Sequence, residues 1–108
     1  MLITEKKGDR IYSATLPRGD NGELEIIING YELTKNDKIV FRLGKDINKP
    51  SVEKIVTDFF ENSLSISLLP KDTQHLPQGQ YYFLVKLIKS YGEVDTIIEK
   101  SDFILEDA

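Results

Sequence analysis

The run Ser63-Leu64-Ser65-Ile66-Ser67-Leu68 alternates small polar and branched apolar side chains without a break. In an extended chain successive side chains point to opposite faces, so this run has one dry face and one wet face. The same alternation recurs along the chain. In residues 10–16, Ile11, Ser13 and Thr15 oppose Tyr12, Ala14 and Leu16; in 38–43, Ile39, Phe41 and Leu43 face inward and Lys38, Val40 and Arg42 outward. A shorter strand is predicted at 24–28, and two longer ones at 80–89 and 93–105 with Tyr91-Gly92 as the turn between them. Turn formers separate these runs: Asp20-Asn21-Gly22, Asn29-Gly30, Lys35-Asn36-Asp37, Asn48-Lys49-Pro50, Glu61-Asn62, Pro70 and Pro77-Gln78-Gly79. Helical periodicity is weak, and single helical turns are expected only at 33–37 and 71–76. About seven or eight short strands punctuated in this way describe an antiparallel β-sandwich or barrel. There is no internal repeat, linker or low-complexity tract, so the expectation is one all-β domain over 1–108.

A chain of 108 residues buries roughly 65% of its unfolded surface, enough for a core without covalent staples. It contains no cysteine, which excludes disulfides, thiolate catalysis and cysteine-ligated zinc together. Its net charge is −4, with 14 basic residues scattered among 18 acidic ones, so no basic face for nucleic acid is expected. No apolar run reaches the roughly 20 residues of a membrane span, and Met1 to Lys7 lacks the apolar core of a signal peptide. A soluble chain made in a bacterial cytoplasm is expected.

The residues most like chemistry sit between 69 and 87, where the single histidine, His75, lies near Asp72 and Thr73. A triad needs a nucleophile, a base in hydrogen-bond reach and a group orienting that base, and sequence proximity supplies none of these relations. His75 in a polar turn reads as a solvated surface residue. One histidine with no cysteine leaves only carboxylates as metal ligands, and no calcium-loop spacing is present. Arg18-Gly19-Asp20 resembles an adhesion tripeptide, but a tight hairpin calls for such residues anyway. Gly19 and Gly22 lack the context of a phosphate loop. No catalytic, metal or cofactor site is expected.

The strand at 80–89 is more informative. With Tyr81, Phe83, Val85 and Leu87 inward, its other face carries Tyr82, Leu84, Lys86 and Ile88. A strand wet on one side turns polar there, so this second face is expected to be covered by the chain's own terminus or loop, by a partner or by a second copy. Val40 and Ile27 join Tyr82, Leu84 and Ile88 as candidate contacts on outer faces.

A longer pattern runs through the chain: Leu69-Pro70-x-Asp72-Thr73-x-x-Leu76-x-x-Gly79-x-Tyr81-x-Phe83-x-Val85-x-Leu87, then Gly92-x-Val94-x-Thr96-Ile97-Ile98 and Phe103-x-Leu105. Lys7-Gly8-Asp9 and Tyr31-x-Leu33-Thr34-x-x-Asp37-x-Ile39-x-Phe41 precede it. This pattern resembles small proteins and domains of tail and baseplate gene clusters in phages and prophages of Gram-positive bacteria, and the Ig-like N-terminal domain of baseplate upper proteins. Two features depart from it: Leu84 stands where an acidic or polar residue is common, and 18–23 is particular to this chain.

The resemblance implies an Ig-like antiparallel β-sandwich serving as a non-enzymatic structural component of the virion. It would dock against other tail or baseplate proteins, as a dimer or trimer. In such a sandwich Tyr81, two residues after Gly79, is placed for a tyrosine corner, its hydroxyl bonding backbone upstream. Asp72 and Thr73 would cap a helical turn at 73–76, Leu76 would plug the core, and Pro70 and Pro77 would fix the chain on either side. The rival reading is a carbohydrate-binding module, which needs an exposed aromatic platform drawn from Tyr12, Tyr31, Tyr82 and Tyr91.

Overall fold

The computed structural model describes residues 1–107; residue 108, the last of the expected domain, lies outside the described residues. The chain forms β1 (Ile3–Lys6), β2 (Tyr12–Pro17), β3 (Gly22–Ile27), β4 (Lys38–Gly44), β5 (Val52–Val56), β6 (Ser63–Leu68), α1 (Pro70–Thr73), β7 (Gly79–Ile88) and β8 (Val94–Glu106). One sheet has six strands in the order β1-β2-β8-β7-β4-β5, and the other consists of β3 and β6. The fold is an all-β sandwich with, among the described residues, one short helix.

The dry faces named from the alternation meet in the core. Ala14 and Leu16 of β2, Ile39, Phe41 and Leu43 of β4, Leu64, Ile66 and Leu68 of β6, and Tyr81, Phe83, Val85 and Leu87 of β7 are all buried. At the centre Phe83 lies 6.0 Å from Phe41 and 5.9 Å from Phe103, edge-to-face with the latter, an arrangement suited to the ring quadrupoles. A two-stranded sheet is marginal alone, so β3 and β6 depend on this packing.

Three expectations are corrected, and two strands form that alternation does not mark. The sandwich is not wholly antiparallel: β2 runs parallel to β8, Ala14 opposite Phe103 and Leu16 opposite Leu105. Parallel neighbours need a long connection, and nearly the whole domain supplies it. Strands β1 and β5 gave no alternation signal because they are edge strands; all four residues of β1 are exposed, so its pattern carries no dry face. Residues 33–37 form a hydrogen-bonded turn, Asp37 N–H to the Thr34 carbonyl, rather than a helical one. The other helical turn begins at Pro70, whose missing N–H suits a helix start.

Candidate docking surface

The histidine stretch is a joint between chain segments. The Asp72 carboxylate accepts the Leu69 N–H at 2.7 Å and pairs with the Lys54 ammonium at 2.8 Å, tying α1 to β5. Burial opposes ionisation of Asp72, but Lys54 and the Leu69 N–H outweigh it and hold the pKa below the ordinary aspartate value. Thr73 does not cap the turn after it. Its fully buried hydroxyl accepts the Gly19 N–H at 2.9 Å, pinning the loop that carries the chain from β2 to β3, where Gly19 takes a positive φ of 83°. Leu76 is buried, His75 is exposed, and Gly79 enters β7 at φ 141°, a backbone region closed to most side chains. The buried Tyr81 hydroxyl donates to the Pro77 carbonyl at 2.6 Å, and burial pushes its pKa up. Tyr81→Phe should lower unfolding free energy by about 1 kcal/mol. His75→Ala should change it by less than about 0.5 kcal/mol. Urea titrations of the two variants read the contrast, and equal losses would remove any role for the hydroxyl.

The Arg18-Gly19-Asp20 loop is held from within. Arg18 pairs with Asp107 at 3.0 Å, and the Asp20 carboxylate accepts from the Met1 ammonium at 2.9 Å. Among the described residues, no group of three or more His, Asp or Glu side chains is placed to hold a metal ion. No helix in them is long and apolar enough to cross a membrane.

The outer face of β7 is covered by its own neighbours, which corrects part of the candidate contact set. Val40 and Leu84 are only 5% and 8% exposed, so neither offers surface to a partner. Arg42 lies directly across from Leu84, and Lys86 and Ile55 flank Val40 on the neighbouring strands. Arg42 is held by Glu53 at 2.8 Å, so its alkyl stem stays over the apolar residues while its charge remains wet. Register breaks between β7 and β8 leave Leu84 without a direct β8 partner, an irregularity that re-aims nearby side chains. The Lys100 ammonium then sits 4.3 Å above the half-buried Tyr82 ring. Ile88, also half-buried, lies between Lys38 and Val94. A long charged residue opposite an apolar one can cover it, which alternation within a single strand does not reveal.

A further lysine approaches two rings of the candidate aromatic platform. Lys89 lies 4.5 Å from the Tyr31 ring centroid and 5.9 Å from that of Tyr91. Its hydrogen bond to Asp95 at 2.9 Å is the main cause raising its pKa above the ordinary lysine value. Tyr31, Tyr82 and Tyr91 thus each have a ring face approached by one of the chain's own cations.

Ile27 is different: it is 70% exposed, on the small sheet. Beside it stands Phe60, 78% exposed, which sequence reading missed by treating 61–62 only as a turn. The signal was the adjacent pair Phe59-Phe60 between Asp58 and Glu61, since two neighbouring aromatics cannot both enter one core face. Phe60 is held in place by a reciprocal pair of backbone bonds with Ser63, at 2.9 and 3.0 Å, closing a tight turn with Glu61 at φ 56°. Between Ile27 and Phe60 runs an open groove lined by Ser63 and Ser65, with Glu25 and Asp58 as its charged members and no cation. No family model matches the chain, and no curated protein matches it.

Proposed function

We propose that this protein is a non-enzymatic docking module of a phage or prophage tail or baseplate, acting through the Ile27–Phe60 face of its small sheet. The observation that carries the docking reading is the pairing of two large, strongly exposed apolar side chains across an open groove with a small serine floor. Contiguous exposed apolar surface of this kind marks contact sites, and the adjacent aromatic is the residue type that anchors interfaces. The tail or baseplate setting rests on the sequence pattern from Leu69 to Leu105 together with its upstream elements.

Tagged chain expressed from its own locus should co-purify with gradient-isolated tails or particles after prophage induction. Ile27→Asp and Phe60→Asp should each abolish that association while shifting unfolding free energy by less than about 0.5 kcal/mol, as for other exposed positions. Absence of the unmodified chain from particles, or undiminished association of both variants, would overturn the reading. For the glycan alternative, lysines lie over the Tyr31 and Tyr82 rings, Tyr12 is half-buried, and Tyr91 alone of the four is strongly exposed.

A further inference from the structure

We propose that the outer edge of β3 is a strand-acceptor site for an extended segment of a partner protein, one that alternates Lys or Arg with aliphatic residues. The proposal rests on the docking reading above and names the chemistry of the partner.

The direction of the backbone groups follows from the hydrogen bonds. Ser63 directs both its N–H and its C=O to Phe60, away from β3, whereas the Ile28 N–H donates to the Asn62 carbonyl at 2.8 Å. In an antiparallel ladder, pairs that exchange both bonds alternate with pairs that exchange none. Ile27 opposite Ser63 is therefore an unbonded pair, and Glu25 opposite Ser65 and Glu23 opposite Ser67 repeat it. The N–H and C=O groups of Glu23, Glu25 and Ile27 thus point out of the sheet. Strand β3 ends its sheet, and among the described residues no other hydrogen bond reaches these groups. Exposed edges of this kind are templates for an added strand.

The edge is open because β1 and β2 pair along β8 instead of beside β3. Between β3 and that trio lies a cleft of about 340 Å³, in which Leu24, Ile26, Phe83 and Ile98 face Thr4 and Tyr12. An added strand would place every second side chain into this cleft, over Leu24 and Ile26 and with Asp9 and Asn29 also on its lining, and the others outward, beside Glu23 and Glu25. Both glutamates are exposed. Their charge decides the occupant: pairing with β3 of a second copy sets glutamate against glutamate, whereas Lys or Arg at alternate positions sets opposite charges across the strands.

The probe is the synthetic peptide acetyl-Lys-Val-Lys-Val-Lys-Val-Lys-amide, with a Glu-for-Lys version as control, added to isotope-labelled full chain and read by amide hydrogen exchange. The lysine peptide should slow exchange at Glu23, Glu25 and Ile27 by at least about tenfold, as for amides taken into a ladder. The glutamate peptide should not. Glu25→Pro removes an outward N–H and leaves the bonds to β6, a position where an edge strand tolerates proline; it should lose the effect. The double variant Glu23→Lys with Glu25→Lys, which keeps every backbone donor, should invert the peptide preference. Unchanged exchange at the three amides, equal protection by both peptides, or an unchanged preference in the double variant would overturn the proposal. So would peptide-free protection that grows with protein concentration alongside a doubled mass, which assigns the edge to a second copy. A silent edge in a chain that still enters particles removes this inference and spares the docking reading; a protected edge in a chain absent from particles does the reverse.

Discussion

Asp37→Ala should destabilise the protein by about 3 kcal/mol or more, because four donors, two of them backbone N–H groups, lose one charged acceptor at once. Asp37 is fully buried, and its carboxylate accepts from the Thr34 N–H at 2.7 Å, the Ser90 N–H at 2.8 Å, the Tyr31 hydroxyl at 3.0 Å and the Thr34 hydroxyl at 3.2 Å. It ties the loop before β4 to the hairpin joining β7 and β8. Burial alone would favour the protonated acid, but these hydrogen bonds outweigh it and hold the pKa below the ordinary aspartate value of 3.8. The sign for acid stability follows. A carboxyl whose folded pKa is depressed contributes its full stabilisation above its unfolded value and loses it as pH falls through the folded value. Stability of the unmodified protein should therefore decline below pH 3.8, and Asp37→Asn should flatten that part of the profile while lowering the plateau at neutral pH. Urea midpoints measured across acidic pH check both points. An Asp37→Asn profile parallel to that of the unmodified protein would show that the carboxylate's charge is not what those donors require.

Phe83→Ala should cost about 3–5 kcal/mol, the range for truncating a buried phenylalanine, out of a total of about 5–15 kcal/mol for a domain of this kind. Phe83 is 1% exposed and is the middle member of the Phe41–Phe83–Phe103 group, so its removal takes two ring contacts and leaves a void at the centre of both sheets. The surrounding strands cannot close on the void without breaking the pairing of Phe83 with Leu43 and Ser101. Phe83→Leu keeps much of the volume and should cost markedly less. Chemical denaturation orders the two variants, and a loss near 1 kcal/mol for the alanine variant would mean that the core relaxes into the space.

How far the chain could be read depends on how local each signal is. The strands at 38–43 and 63–68 were legible because their alternation comes from one wet face and one dry face, a property of a short segment alone. Asp37 stood in the quoted pattern Thr34-x-x-Asp37, and only the folded chain shows that Ser90 completes its site from 53 positions away. Its place in the sequence marks Thr73 as a cap, whereas its hydroxyl holds Gly19 on the distant loop between β2 and β3. The exposure of Phe60 is decided by the turn it makes with Ser63, which no periodicity in its own segment marks.

Alternation determined the all-β class, the inward faces of β2, β4, β6 and β7, and the absence of a long helix, because each follows from side-chain period within a few residues. Which outer faces stay open was decided by tertiary structure alone. Leu84 and Val40 look as exposed as Ile27 when only their own strands are considered; neighbouring strands cover the first two and leave Ile27 bare. The free edge of β3 likewise exists because β2 pairs in parallel with the last strand of the domain, a choice set by packing between segments nearly the whole chain apart.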